Sequence, residues 1–302
     1  MQKKELVNKY AFIIVLLAAI ITALVWTVWG KAPEMSGDGS TALTICRLLK
    51  LIAVGLLAGY FGGLLGIGGG IIMLPILTFW LDFPTTLAVG TTLFAVIFTG
   101  ISGGYAHLAR GNADIQSTLY LGTFGVAGIL LGSYLFTILA SQIKILGLIL
   151  GIFFIFPGIF MLWEALSKRS PFVNREKRPE DVNKTGLATL GFTVGFLTGI
   201  LGLGGGYLLV PGLTYLFGYP LSLAVGTSLT TVVPLTIVGG SIKLLQQYVM
   251  LQSSLSLATG TIIGAQIGAA SIKLFKPSTL KIIFSLYFIY TAVKFITGYW
   301  SQ

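Results

Sequence analysis

A glycine-rich phrase that occurs twice, each time inside apolar sequence, restricts the possible folds of this chain more than any other feature. GLLGIGGGIIMLPIL occupies residues 63–77 and GILGLGGGYLLVPGL occupies residues 199–213. Each position of the second copy follows its counterpart by 202 − 66 = 136 residues. Because glycine in a helix interior costs about 1 kcal/mol relative to alanine, the two phrases predict a duplicated core with two interrupted helices.

The composition points to a membrane protein. The chain has 302 residues, of which 55% are hydrophobic and 9% are charged, whereas a soluble domain carries about 25% charged residues. Apolar runs long enough to cross the lipid bilayer recur along the whole sequence, and they predict an all-α polytopic membrane protein. The net charge of +10 comes from Lys and Arg at the ends of these runs, which is typical of membrane topology and does not indicate a nucleic-acid partner.

The sequence divides into four segments. Residues 1–47 hold an N-terminal transmembrane helix, over residues 10–29, and a polar link. This run is longer than the apolar part of a signal peptide and lacks a clean cleavage site, so we expect the helix to be retained. Two homologous membrane repeats, 48–166 and 186–302, flank a basic loop over residues 167–185.

The charge pattern predicts the membrane topology. With the N-terminus and the basic loop both in the cytoplasm, the first repeat crosses the membrane an odd number of times. Five elements that each cross give five, and a re-entrant hairpin made by the broken helix and its short partner gives three. Odd crossing numbers make the two repeats inverted and place the C-terminus outside. An alternative stays open, because a broken helix that forms one span with its partner gives parallel repeats.

The glycine breaks are candidate substrate-binding elements. Each break starts a new helix, near residues 70–72 and 206–208, and a helix N-terminus offers free N–H groups and a partial positive charge to an anion. The alternative is that glycine only permits close helix packing. The candidate residues are Gly66, Gly68, Gly69, Gly70, Gly202, Gly204, Gly205 and Gly206.

A second paired phrase adds hydroxyl groups. LAVGTT over residues 87–92 corresponds to LAVGTS over residues 223–228, so Thr91, Thr92, Thr227 and Ser228 are candidates for hydrogen bonds to an oxyanion. The alternative is that these side chains bond to their own helix backbone. Gln266 lies deep in an apolar span where the first repeat has a leucine, and it is a further substrate candidate or an interhelical hydrogen-bond donor.

The remaining polar residues argue against an enzyme. His107 corresponds to Lys243, and we expect the lysine to extend to the membrane surface. The alternative is that the two cations raise the local concentration of anions at the two mouths of a transporter. Ser102 stands in a GISG phrase, which resembles the serine motif of intramembrane rhomboid proteases. The second repeat has Val238 at the position that corresponds to Ser102, so the motif is not repeated. We predict no catalytic site, no metal and no cofactor, since no carboxylate lies well inside a span and neither a Cys/His cluster nor a phosphate-binding loop is present in the sequence.

The doubled GxLGxGGGxxxxP phrase, each copy followed by PxxLAVGT[ST], resembles the TauE/SafE family of membrane proteins, also called sulfite exporters. The resemblance implies a substrate class of small sulfur-containing oxyanions, such as sulfite and organosulfonates. It implies a secondary transporter in the cytoplasmic membrane, and export agrees with the membrane potential, which expels anions from the cell. Coupled uptake of such an anion and a non-transporting accessory role are the alternatives.

Overall fold

The computed structural model describes residues 16–18, 45–166, 182–271 and 277–300, and all regular secondary structure in these ranges is helical, as predicted. Of the predicted N-terminal helix, residues 16–18 form a helical turn and the rest lies outside the described residues. Most of the basic loop also lies outside them.

The first repeat contains two broken segments and three long helices. Its helices are α1 (Ile45–Leu65), α2 (Gly70–Trp80), α3 (Thr85–Leu108), α4 (Ile115–Ala140) and α5 (Ile143–Leu166). The predicted break separates α1 from α2, and α3 begins directly after Pro84, a position that proline favours because its φ angle suits the first helical turn.

The second repeat follows the same order. Its helices are α6 (Lys184–Leu201), α7 (Gly206–Pro211), α8 (Leu221–Leu245), α9 (Leu251–Ser271) and α10 (Pro277–Trp300). One difference was not predicted: after Pro211 the chain continues as a π-helical turn, Gly212–Leu216, whereas α2 passes Pro75 as an α-helix. Proline removes an N–H donor and crowds the carbonyl four residues earlier, and a wider turn accommodates it.

The two repeats pack through two equivalent helix pairs. In each pair, the first helix of one repeat packs against the fourth helix of the other. In one pair, α1 packs against α9, where Gly55 lies against the carbonyl of Leu257. In the equivalent pair, α6 packs against α4, where Gly191 lies against the carbonyl of Leu121. Each residue of the second contact is related to one of the first by the 136-residue offset, so the same close packing is built twice. Small residues permit this approach of helix backbones in membranes.

The other large contacts join helices to their own counterparts, α3 to α8 and α5 to α10. Six of the described helices are long and apolar enough to cross a membrane. Large apolar side chains remain exposed on the outer helices, among them Leu119 and Trp163 at 63% and 60%. An apolar outer surface of this extent suits lipid, and the protein is a multi-pass membrane protein.

Candidate functional site

The backbone at both breaks requires glycine. Three glycines of each break have positive φ, in the left-handed region where other residues are strained. The φ angles are 76°, 76° and 78° at Gly66, Gly68 and Gly69, and 70°, 86° and 85° at Gly202, Gly204 and Gly205. Gly69 and Gly205 then act as N-caps: the carbonyl of Gly69 accepts hydrogen bonds from the N–H groups of Ile72 and Met73, at 3.0 and 3.1 Å.

The two breaks meet in the interior. A Cβ atom placed on Gly70 would lie 2.5 Å from the carbonyl oxygen of Leu203, which belongs to the other break. Gly206, the counterpart of Gly70, packs against the carbonyl of Gly66 and the main chain of Ile67, the counterpart of Leu203. The residues of both breaks are buried. The predicted glycines are therefore brought together, but their junction is filled by protein backbone in this conformation.

Side chains, and not backbone, face the middle glycines of the two breaks. The nearest atoms to a Cβ on Gly68 belong to the side chains of Val96 and Val232, at 3.1 and 3.7 Å, and the nearest to one on Gly204 belong to Val96. These two valines are themselves equivalent, at 96 + 136 = 232. Because a valine side chain rotates more easily than a backbone moves, the contacts of Gly68 and Gly204 can adjust more easily than the backbone contacts of Gly70 and Gly206.

Two of the four predicted hydroxyl groups bond to the opposite repeat. Thr91 Oγ1 accepts a hydrogen bond of 3.0 Å from the N–H of Met250, and Thr227 Oγ1 accepts one of 2.9 Å from the N–H of Asp114. Both acceptors are fully buried, and each fixes the residue that precedes a helix of the other repeat. These two hydrogen bonds join the repeats. The sequence suggested an oxyanion or the backbone of the same helix as the partner of these hydroxyls, and the observed partner is neither.

The other two hydroxyl groups differ from each other. Ser228 donates a hydrogen bond of 2.8 Å to the carbonyl oxygen of Gly66. Thr92, its counterpart, is buried and has no hydrogen-bond partner among the described residues. Around the second break, the hydroxyls of Thr198 and Tyr207 are also buried and lie beside each other without hydrogen-bond geometry. Buried polar groups are normally paired, so these three hydroxyls depart from the usual pattern.

Gln266 does not lie at the breaks. Its Nε2 atom donates to the carbonyl oxygen of Ser102 at 2.6 Å and to the hydroxyl of that residue at 3.1 Å, which ties α9 to α3. Ser102 in turn donates to the carbonyl of Ile262 at 2.8 Å. Hydrogen bonding between helices therefore accounts for both polar side chains, and Ser102 is not presented as a nucleophile.

The equivalent cations His107 and Lys243 have different surroundings. His107 Nε2 lies 3.1 Å from the carbonyl oxygen of Gly63, in the last turn of α1. Lys243 does not extend to the membrane surface: it is fully buried, and its Nζ atom, 3.2 Å from the centroid of the Phe136 ring, has no hydrogen-bond partner among the described residues. The expectation that Lys243 extends to the membrane surface is therefore wrong.

The burial of Lys243 is incompletely compensated. Removing an ammonium group from water costs several kcal/mol. A desolvated cation over an aromatic ring returns about 2 kcal/mol, and a position in the last turn of a helix returns at most about 2 kcal/mol more. The described residues that are buried and polar include no Asp or Glu. The amine therefore lacks the anionic partner that a buried cation normally has.

A cavity of about 500 Å³ opens beside the glycine breaks. Its wall is mainly apolar and includes Ile67 of the first break and Tyr207 at the start of α7. Met161 and Leu190, also in the wall, lie near the ends of α5 and α6, which residues 167–183 connect. The cavity thus lies on the side of the basic loop and ends at the breaks.

The equivalent position in the first repeat is closed. Pro75, Phe79 and Trp80, the counterparts of the wall residues Pro211, Tyr215 and Leu216, line a space of only about 10 Å³. That volume is about that of one water-sized probe. The two halves therefore differ in the space beside the equivalent prolines, Pro75 and Pro211.

Some residues of the site were not predicted. The hydroxyl of Tyr219 donates to Oδ2 of Asp114 at 2.8 Å and lies 2.7 Å from the hydroxyl of Ser117. This network joins the two repeats on the side of the basic loop, and Phe83 replaces the tyrosine in the first repeat. An alignment of the two repeats shows Tyr219 opposite Phe83, and this difference is the sequence signal that could have identified the tyrosine. Among the described residues, no group of three or more His, Cys, Asp or Glu side chains is placed to hold a metal ion.

The fold and the site define a class of protein: a multi-pass membrane protein made of a duplicated helical unit, with two glycine breaks packed together inside it. The model of the sulfite exporter TauE/SafE family matches residues 51–295. The chain therefore belongs to this family, and the resemblance drawn from the paired motifs is confirmed. It is a family of membrane transporters, a class other than enzymes, as predicted.

Relatives of the chain carry compatible names. A probable membrane transporter protein of Bacillus subtilis, YunE, is 29% identical over 272 residues, which cover 82% of this chain and 96% of the relative. A probable membrane transporter protein of Methanocaldococcus jannaschii is 30% identical, over 78% and 90% of the two chains. The sulfite exporter TauE/SafE family protein 3 of Arabidopsis thaliana is 34% identical over 93 residues, which are 31% of this chain and 19% of that protein. No solved structure matches the chain.

Proposed function

We propose that this protein is a secondary transporter that exports a small oxyanion, sulfite or an organosulfonate, across the cytoplasmic membrane. The observation that carries the proposal is a set of buried hydroxyls without hydrogen-bond partners among the described residues: those of Thr198 and Tyr207 beside the second break, and that of Thr92 on α3. Thr198 and Tyr207 lie at the start of α7, beside the main-chain N–H groups of its first turn. Hydroxyl and N–H donors without a carboxylate suit an oxyanion better than a cation.

In this proposal the two repeats have inverted topology. The support comes from the order of contacts between equivalent helices: Gly100 and Gly104 of α3 lie against Val233 and Leu229 of α8, respectively, so the residue numbers run in opposite directions. The contacts of α5 with α10 run in opposite directions as well, with Gly147 against Phe295 and Gly158 against Phe288. Equivalent helices that cross in opposite directions are those of an inverted repeat, and they fit an N-terminus and a loop 167–185 in the cytoplasm with an external C-terminus.

The difference between the two cavities supports transport by alternating access. An inverted repeat allows each half to adopt the conformation of the other, which closes one entrance and opens the opposite one. The open cavity near Tyr207 and Pro211 then corresponds to a state open to the cytoplasm. The closed space near Pro75 becomes the exit when the halves exchange conformations.

The membrane potential favours export. Moving one charge through 100 mV is worth about 2.3 kcal/mol, and an inside-negative cell expels an anion without a coupling ion. The buried polar side chains of the described residues contain no carboxylate of the kind that carries protons in coupled transporters. Coupled uptake, with sodium held by unwound backbone, is the alternative direction.

The experiment is flux in proteoliposomes. Purified protein is reconstituted, sulfite or a simple alkylsulfonate is loaded, and an inside-negative potential is imposed with potassium and valinomycin. We expect efflux that increases with the potential and needs no proton or sodium gradient. Uptake that ignores the potential and requires one of those gradients would overturn export, and no protein-dependent flux of either anion would overturn the substrate class.

A non-transporting accessory role has one observation in its favour. The glycines of the breaks are required by backbone angles and by contacts below 3 Å, so close packing alone explains them. A protein of this kind shows no flux in the same liposomes, while substitution of the glycines affects only its folding.

A further inference from the structure

Lys243 and Ser133 are two buried polar residues on helices of different repeats that pack against each other. Lys243 is on α8, and its Nζ atom lies over the ring of Phe136 on α4. Ser133 is one turn before Phe136, on the same face of α4, and is 1% exposed. Neither the amine nor the hydroxyl has a hydrogen-bond partner within the described part of the chain.

The equivalent place, around His107, has one unpaired side-chain atom and not two: His107 Nδ1 has no hydrogen-bond partner among the described residues. There His107 contacts the carbonyl of Gly63, and Ala269 takes the position of Ser133. Gly199, the counterpart of Gly63, packs closely against α4: a Cβ added to Gly199 would lie 2.6 Å from the main-chain nitrogen of Ser133. Unlike His107 with Gly63, Lys243 forms no hydrogen bond with the carbonyl of Gly199. The combination of an unpaired amine with an unpaired hydroxyl is therefore particular to Lys243 and Ser133, and the common fold does not require it.

We propose that Lys243 and Ser133 form a second anion-binding site, which takes a small oxyanion on its way out of the protein. The inference rests on the proposed function, because it assumes that such an anion is transported. The amine supplies a positive charge and up to three donors, and the serine supplies one more. An oxyanion offers only acceptors and the negative charge that the buried amine lacks.

The position along α8 fits an exit site. The open cavity contacts Val225 near the start of this helix, whereas Lys243 lies in its last turn. The separation of 18 residues corresponds to about 27 Å along the helix axis. Lys243 is thus at the end remote from the cytoplasmic cavity, and its ligand would bind between α8 and α4, helices of different repeats whose relative movement alternating access requires.

The test uses Lys243→Met, which keeps the length of the side chain and removes its charge. Lys294→Met is the matched control, because Lys294 also lies over an aromatic ring, that of Tyr290, but is exposed. Detergent-solubilised proteins are titrated with sodium sulfite against sodium chloride of equal ionic strength. The midpoint of thermal unfolding gives the apparent affinity, and sulfite flux in liposomes gives KM.

We expect Lys243→Met to unfold at a higher temperature than the wild type without sulfite, since an unpaired buried charge is removed. Its affinity for sulfite should fall about tenfold or more, with a matching rise in KM, and Ser133→Ala should lower the affinity by a smaller factor. Lys243→Arg should restore most of the affinity, and Lys294→Met should behave as the wild type.

Two results separate the inference from the proposed function. If Lys243→Met unfolds at a lower temperature but keeps the wild-type affinity and KM, the lysine is structural and the second site is wrong. Ser133→Ala gives the same decision where the lysine variant does not fold, because unchanged affinity in a folded Ser133→Ala protein also overturns the site. If the wild-type protein neither binds nor transports sulfite, the proposed function itself fails.

Discussion

The hydroxyl of Ser228, in the second repeat, donates a hydrogen bond of 2.8 Å to the main-chain carbonyl oxygen of Gly66, in the first. The bond satisfies a carbonyl that the break leaves without a helical partner. Its counterpart does not form, since Thr92, at the position equivalent to Ser228, has no partner in the described structure. The fold thus uses the hydroxyl of Ser228, whereas the hydroxyl of Thr92 forms no hydrogen bond with the described residues.

This difference predicts different effects of removing the two hydroxyls. Ser228→Ala leaves the buried carbonyl of Gly66 unpaired and should lower the free energy of unfolding by about 1–3 kcal/mol, with little change in the KM for sulfite. Thr92→Ala breaks no hydrogen bond and should change stability by less than about 1 kcal/mol, while KM rises about tenfold. Denaturant unfolding in detergent and liposome flux measure the two quantities. Equal effects of the two variants on KM would contradict this assignment.

The glycines of the breaks should tolerate alanine far less than glycines elsewhere. At Gly69 and Gly205 an alanine combines a left-handed backbone, which costs about 1–2 kcal/mol, with a Cβ within 2.6 Å of the Ala58 carbonyl oxygen or 2.7 Å of Thr198 Oγ1. We expect each variant to lose more than about 2 kcal/mol of stability.

Two other glycines are controls for the separate costs. Gly111 has a φ of 71° but open space within 4 Å of the position that a Cβ would take, so Gly111→Ala should show the backbone cost alone. Gly298 lies within α10 with the same open space and no positive φ, and Gly298→Ala should stabilise the helix by up to about 1 kcal/mol. Thermal unfolding of the four variants gives the order. A Gly69→Ala protein as stable as Gly111→Ala would show that the break is not closely packed.

The sequence predicted the helices because apolar runs, prolines and glycines mark their ends locally. The 136-residue offset also predicted which residues would be equivalent. It did not predict that equivalent residues such as Ser228 and Thr92 have different partners, because both are small hydroxyl side chains. Nor did it predict the burial of Lys243, since a lysine near a helix end normally reaches water. Both features depend on how α3, α4 and α8 approach each other, which no local pattern encodes.

Gln266 should contribute to stability and not to transport. Gln266→Leu introduces the residue found at the equivalent position, Leu130, and removes the hydrogen bonds to Ser102. Side-chain hydrogen bonds between membrane helices are worth about 0.6 kcal/mol on average and at most about 1.7 kcal/mol, so we expect a loss in that range. The rate of sulfite flux per folded protein should be unchanged. A large rise in KM for this variant would show that Gln266 takes part in substrate binding.

The open and closed cavities should be distinguishable with single cysteines. Cys46 is the only cysteine and is exposed, so Cys46→Ser provides a background without thiols. Leu208 lines the open cavity, whereas Ile72, its equivalent in the first repeat, is 7% exposed and lies outside that cavity. In this background, Leu208→Cys should react readily with a small water-soluble thiol reagent, and Ile72→Cys should react slowly.

Substrate should change this ratio if the repeats exchange conformations. As transport carries the protein between its two states, labelling of Leu208→Cys should fall and that of Ile72→Cys should rise, because one cavity closes as the other opens. Reagent added from one side of oriented vesicles then assigns each cavity to a membrane face. Labelling of both cysteines from the same face would contradict inverted repeats. Labelling that sulfite leaves unchanged, in protein that still transports it, would show that the two cavities are not alternating entrances.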